Sequence, residues 1–415
     1  MSLWAARAAA ESDAVLGARP AVVYEPSTVE EASLAVAESA REGGGQSLVF
    51  VGGATELELG APPSRLDAIL RTGRLDRVLE HAPSDQIVVA EAGVTLAALA
   101  AVLAAHGQRL ALDPPSPERA TVGGVVASNA FGPLRARYGS VRDLIIGISI
   151  IRADGRMAHG GGKVVKNVAG FDLPKLMVGS LGTLGLIATA TFRLHPLPED
   201  GVTLLSARRG AAEIGRLVAR MRESQLEPAA VIAFGRPDGR FDLAVRFEGF
   251  GKGVLEQRDR FTALAAAEEQ GSCEALDAAA ARDLWARHDG ARRAGSLRAK
   301  VAMRPARSAE TSAAALAPLL ASLENPAGVL YPTLGLGFAS GDVRDPDAAA
   351  AAVGAARSRL AAEGGSLVLH AAPETLRSRV DVWGEPPPAI GLLRSVKSRL
   401  DPARRLAPGR FVGGI

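Results

Sequence analysis

Cysteine is almost missing from this 415-residue chain: Cys273 is the only one. Disulfide frameworks, thiolate zinc sites and iron–sulfur ligation each need several sulfurs and are excluded. Histidine is scarce as well. His81, His106, His159, His195, His288 and His370 lie far apart, with no HxxxH or HxH pair to hold a metal from one short element, so no metal is expected. Long apolar runs are absent too. The longest uncharged, mostly apolar stretch, 92–105, is too short for a hydrocarbon core about 30 Å thick. The opening MSLWAARAAAESD places Arg7 and Glu11 where a secretory signal has its apolar core, and the expected location is cytoplasmic. Nor does one sign of charge dominate. The 48 basic and 45 acidic residues leave a net +3, and a pI near 9.2 that arises by near-cancellation offers nucleic acid no basic stripe.

What is present is a 47% share of apolar residues in a chain too long for a single core, so two domains are expected. Val22 to Tyr24 predicts a short strand and 28–41 a helix, with Ser27 and Glu30 at capping-box spacing. Strand 47–51 ends abruptly at Gly52 and Gly53. Strand 86–91, helix 95–106, a proline-dense loop at 113–117 and a glycine-rich stretch to Gly139 follow. Strand 143–152 turns at Asp154-Gly155, and strand 185–194 is broken by His195-Pro196-Leu197-Pro198. Beyond Pro198 the order strand, helix, two strands, helix roughly recurs from Leu297 to Ala371. That order predicts an antiparallel sheet with helices packed on one face.

Three segments carry candidate chemistry. In Val51-Gly52-Gly53-Ala54-Thr55 two glycines after a strand are free to take positive φ and aim consecutive N–H groups at an anion, or to form a plain turn. The second segment runs from Asp113 through Thr121-Val122-Gly123-Gly124 and Ser128-Asn129 to Gly132, then Tyr138-Gly139 and Asp143. About thirty loop-favouring residues either stay disordered or wrap a ligand. Val122, Val125, Val126 and Phe131 are too apolar for disorder, which favours a binding loop. The third runs from Lys163 to Ile187. Gly160-Gly161-Gly162-Lys163 lacks the spacing glycine and the Ser or Thr of a P-loop, having Met157 and Val164 instead, and no GxGxxG follows an N-terminal strand. Nucleotide-triphosphatase and Rossmann readings both fail.

Taken in this order, Gly52 to Leu57, the Pro114-Pro115 loop with Thr121 to Gly124, Tyr138 to Asp143, and Lys166-Asn167-Val168-Ala169-Gly170-Phe171-Asp172 through Gly182-Thr183-Leu184-Gly185 resemble the PCMH-type FAD-binding domain of the vanillyl-alcohol oxidase family. Within that family they are similar to the FAD-binding E subunits of bacterial glycolate oxidase. A tail from Leu400-Asp401-Pro402 to Pro408-Gly409-Arg410 resembles the family's terminal signature, with Ala407 where asparagine is usual. The resemblance implies an α+β fold. A PCMH-type FAD-binding domain would span 1–198 and a smaller α+β domain with an antiparallel sheet 199–371, while 372–415 packs back on the first. It implies FAD bound at Gly52, Gly53, Ala54, Thr55, Pro115, Thr121, Gly123, Gly124, Ser128, Asn129, Gly132, Tyr138, Gly139 and Ile187. The link would be non-covalent, since neither 52–57 nor 113–143 holds a histidine or cysteine.

On the substrate side the resemblance implies oxidation of a small 2-hydroxy acid, glycolate or D-lactate, by hydride transfer to the flavin. Lys166, Arg287, His288 and Lys300 are the candidate catalytic residues. Where catalytic relatives carry paired metal-binding histidines, 366–370 has His370 alone. That departure keeps open an electron-relay or assembly subunit whose sister carries the chemistry. Expected partners are a second flavin subunit and an iron–sulfur subunit, with membrane association only through them.

Overall fold

The computed structural model describes residues 5–41, 45–163, 170–236, 238–268 and 273–415. They form two compact units, one of Met1–Gly132, Gly139–Pro196 and Glu385–Ile415, the other of Pro133–Tyr138 and Leu197–Gly384.

The first unit holds two larger sheets and a two-stranded one that pairs Gln108–Arg109 with His195–Pro196. Strands Ala5–Ala8, Val22–Glu25, Ala68–Arg71 and Leu48–Val51 lie side by side in that order; the last three run parallel and the first antiparallel. The second sheet is antiparallel throughout, in the order Val78–Ala82, Ile87–Glu91, Leu186–Arg193, Ile145–Ile151, Met157–Gly161. Its strand Ile145–Ile151 reads IIGISII without polar alternation because both faces are covered. Ile148 and Ile150 join one core with Leu99, Val125 and Phe192, whereas Ile151 joins another with Val36, Leu48 and Leu186. Helix Val29–Ser39 is capped by Thr28, whose hydroxyl accepts the Glu31 amide at 3.1 Å. The Glu31 carboxylate in turn accepts the Ser27 amide at 2.7 Å. The capping pair therefore sits one residue beyond the expected Ser27 and Glu30, a device that stabilises a helix by about 1 kcal/mol.

The glycine-rich stretch is not one long loop. Helix Val122–Ser128 interrupts it, capped by Thr121 and closed by Asn129 at φ 52°, and Tyr138 leaves with the second unit.

After helix Ile390–Leu400, the chain runs beside strand Leu48–Val51. The Leu48 amide donates to the Arg405 carbonyl at 2.8 Å and the Ala407 amide to the Leu48 carbonyl at 2.7 Å. Buried Lys397 donates to Asp401 Oδ2 at 2.7 Å and to the carbonyls of Thr183 and Leu406 at 2.8 Å each. Arg405 spans the carbonyls of Ser39, Gln46 and Ala153. Ala407 has φ 44°, a left-handed geometry that asparagine tolerates better than alanine. Its methyl group is fully buried among Val49, Val51 and Ile69, where alanine packs without stranding a polar side chain.

The second unit carries an eight-stranded antiparallel sheet. Its order is Glu274–Ala275, Asp200–Arg209, Phe241–Gly249, Ala230–Gly235, Leu323–Tyr331, Leu336–Val343, Leu297–Ala302, Ser366–Ala371. Numbered within each half, that is 4-1-3-2 meeting 2-3-1-4, so the recurring order of elements is an internal duplication closed across the pairing of Ala233 with Leu330. Most helices share one face: Phe261 of helix Gly251–Ala266 meets Phe247, and Leu320 of helix Ser308–Ala321 approaches Gly328. Helix Ala278–Arg293 departs from the one-face expectation. Its Trp285 donates to Thr203, and its Arg292 lies 4.2 Å from the Phe338 ring centroid. In strand Asp200–Arg209, Val202 pairs with Phe247 and Thr203 with Arg246. Successive strand residues point to opposite faces, so Thr203 and the helix bound to it lie across the sheet from Phe247 and Phe261.

Candidate functional site

A cleft of about 100 Å³ lies in the first unit, lined by 49–57, by Thr121, Gly123, Gly124, Ala127 and Ser128, by Leu181, Gly182 and 185–187, and by Arg410. Gly52 and Gly53 at its edge are explained by room and not by positive φ. The left-handed position falls on Ala54, at φ 59°, and not on Gly52 or Gly53. A Cβ on Gly53 would stand 1.6 Å from the Arg119 carbonyl oxygen, and one on Gly52 would stand 2.2 Å from Thr121 Oγ1. The two loops therefore interlock through close backbone approach, helped by Arg119 Nη2 donating to the Gly53 carbonyl at 3.2 Å.

The two loops differ in what they offer an anion. The amides of Gly53, Ala54 and Thr55 donate to no backbone carbonyl among the described residues. The first amides of helix Val122–Ser128 are already bonded: Val122 to the Val94 carbonyl at 2.9 Å, Gly123 to Ala92 at 2.8 Å, Gly124 to Thr121 Oγ1 at 3.3 Å. The first loop supplies open donors, and the second supplies small-residue walls.

Of the expected cofactor residues, Gly52, Gly53, Ala54, Thr55, Thr121, Gly123, Gly124, Ser128 and Ile187 line this cleft. Pro115, Asn129, Gly132, Tyr138 and Gly139 do not. A Cβ on Gly132 would meet Asp113, and the Tyr138 hydroxyl donates to Glu248 at 2.9 Å inside the second unit. Leu181, Gly182 and Gly185 line the cleft but were absent from the expected set, although they belong to the run that carries the resemblance. Arg410 was absent as well, and no local pattern places a residue 353 positions from Leu57 beside it; yet its Nη2 donates to the carbonyls of Leu57 at 2.8 Å and Leu59 at 2.6 Å.

The second unit brings Arg287, His288 and Lys300 to one face of its sheet. Arg287 lies 4.2 Å from the Phe234 ring centroid, and Lys300 pairs in register with Phe338. His288 is buried, with Nε2 2.6 Å from the Tyr331 hydroxyl and Nδ1 2.9 Å from Asp289. Burial pushes its pKa down against the opposing pull of Asp289, so the ring is neutral at neutral pH. Lys166 lies outside the described residues. Burial also raises the Cys273 pKa, which keeps it a thiol and not a thiolate nucleophile. Among the described residues no group of three or more His, Cys, Asp or Glu is arranged to hold a metal, and no helix is long and apolar enough to cross a membrane.

Residues 20–161 match the family model described as an FAD binding domain. The chain is 37% identical over 220 residues to a D-lactate dehydrogenase of Archaeoglobus fulgidus, covering 51% of this chain and 48% of that one. It is 32% identical over 234 residues to the glycolate oxidase subunit GlcE of Escherichia coli, covering 56% and 63% respectively. The chain thus spans about half to just under two thirds of these curated relatives. In fold it is similar to p-cresol methylhydroxylase, with a TM-score of 0.74 at 16% identity over 94% of this chain and 88% of that one. It is also similar to an alkyldihydroxyacetonephosphate synthase, with a TM-score of 0.69 at 18% identity over 94% and 76%. The fold is the PCMH-type FAD-binding fold, and the expected α+β class holds.

Proposed function

We propose, from a chain whose residues 20–161 match an FAD binding domain, that this protein holds FAD non-covalently in the 49–57 cleft and is the flavin subunit of an assembly oxidising glycolate or D-lactate. The observation that carries the reading is the run of three open amides, Gly53 to Thr55, in a cleft otherwise walled by small and apolar residues. Open N–H groups suit a diphosphate, and Phe50, Leu57, Leu181 and Leu186 suit an aromatic ring system. No histidine or cysteine stands among the described lining residues, so attachment through those side chains has no donor there.

Bound flavin supplies a hydride acceptor; the protein's own part is to bind, orient and move a proton. In this reading Arg287 and Lys300 of the second unit are the cations that hold a substrate carboxylate, and Lys166 is a further candidate from sequence. His288, neutral and bonded to Tyr331, positions that hydroxyl and serves as the candidate proton acceptor. With Cys273 as its only cysteine, the chain cannot hold an iron–sulfur cluster. Onward electron transfer through a cluster then calls for another polypeptide, and a second flavin subunit and an iron–sulfur subunit are the proposed partners.

A second reading, an electron-relay or assembly subunit, is favoured by His370 standing as the one histidine in 366–370. Anaerobic addition of glycolate or D-lactate to the FAD-loaded chain separates the two. Bleaching of the flavin absorbance supports chemistry in this chain, whereas a flavin that stays oxidised until a sister subunit is added supports the relay.

A further inference from the structure

We infer that Arg410, contributed by the C-terminal segment, is a cofactor-binding residue whose guanidinium neutralises the diphosphate of the dinucleotide. The inference rests on the FAD reading above. Arg410 lines the same cleft as the Gly53 to Thr55 amides and is only 3% exposed. A guanidinium withdrawn from water interacts more strongly with a nearby charge than an exposed one does. Its Nη2 is anchored on the carbonyls of Leu57 and Leu59, which fixes the plane of the group at the cleft wall. The acid on the cleft lining is Glu56, and a ligand with two negative charges would outweigh it and reward both the amides and Arg410. A planar fork also matches phosphate oxygens, as an ammonium does not.

The position is built from far away in sequence. Strand-like pairing of 405–407 with Leu48 fixes the segment's path. Ser64 and Ala61 donate their amides to the carbonyls of Pro408 and Arg410 at 2.8 Å and 3.1 Å, which pins the loop that follows Thr55 to the same segment. The C-terminal segment thus presents the arginine and shapes the loop with the open amides.

The test compares the wild-type chain with Arg410→Met and Arg410→Lys, following FAD binding by quenching of flavin fluorescence and displacement by ADP or by adenosine. Loss of a charge-assisted contact should raise Kd for FAD and for ADP by about 30-fold in Arg410→Met. Adenosine, which has no phosphate, should bind both proteins equally, and Arg410→Lys should recover part of the loss. Equal weakening of FAD, ADP and adenosine would overturn the inference and leave Arg410 a clamp on the Leu57 and Leu59 carbonyls. Unchanged FAD affinity would overturn it too. Failure of the wild-type chain to bind FAD would instead overturn the FAD reading on which it rests. Thermal melting of the apo proteins identifies a variant that has simply failed to fold, and Arg410→Lys then carries the comparison.

Discussion

Gly53→Ala is the smallest change that should damage the cleft. The new methyl would lie 1.6 Å from the Arg119 carbonyl oxygen and 2.6 Å from its carbon. A normal carbon–oxygen contact is about 3.3 Å, so the loops must part by roughly 1.7 Å or the backbone must tilt. Both clashing atoms are main chain, and neither can rotate away. Overpacking of this kind costs about 1–3 kcal/mol. The opening would also pull Thr121, the cap of helix Val122–Ser128, away from Gly52. Urea denaturation should show the first unit destabilised by about that amount, with FAD affinity reduced at least in proportion. Because Gly53 has no positive φ, Gly53→Ser should behave like Gly53→Ala. Wild-type stability and flavin affinity in Gly53→Ala would refute the close-approach explanation.

Lys397→Met should cost about 3–5 kcal/mol, since it strands the buried Asp401 carboxylate; Lys397→Met with Asp401→Asn should recover much of it, as chemical denaturation would show. The hydrogen bond from Arg7, joined by that from Arg71, holds Asp13 well below the usual carboxylate range. Its stabilisation is complete above the unfolded-state pKa near 4 and is lost as pH falls through the folded value, so a wild-type melting curve should steepen its decline below about pH 4 while Asp13→Asn starts lower and declines less. His288 has a lowered folded-state pKa, so the unfolded chain takes up the proton first. Stability of the second unit should drop as pH falls below about 6.5, and His288→Gln should flatten that drop in calorimetry.

The periodic parts of the fold were legible because burial writes itself into short windows. The strand beginning at Val22, the helix capped at Thr95 and the strand ending before His195 all lie where the pattern puts them. The recurrence after Leu297 became a duplicated sheet because element order survives when sequence likeness does not. Helix Val122–Ser128 was hidden by its own composition, VGGVVAS, in which two glycines and three β-branched residues read as loop; its cap and tertiary contacts override propensity. Helix Ala278–Arg293 carried no mark of which sheet face it would cover. The cleft was half legible. Its first loop could be read from the glycine pair, but the reason for the glycines, a neighbouring carbonyl, and the presence of Arg410 both depend on contacts between segments far apart in the chain.

The most direct measurement is a titration of the purified, flavin-free chain with FAD, followed by acid precipitation of the complex. Saturable quenching at one FAD per chain and recovery of intact FAD in the supernatant are expected, with riboflavin, which lacks the diphosphate, binding far more weakly. A chain that neither arrives yellow nor takes up FAD, or one that binds riboflavin as tightly as FAD, would contradict a cleft built around the open amides of Gly53, Ala54 and Thr55.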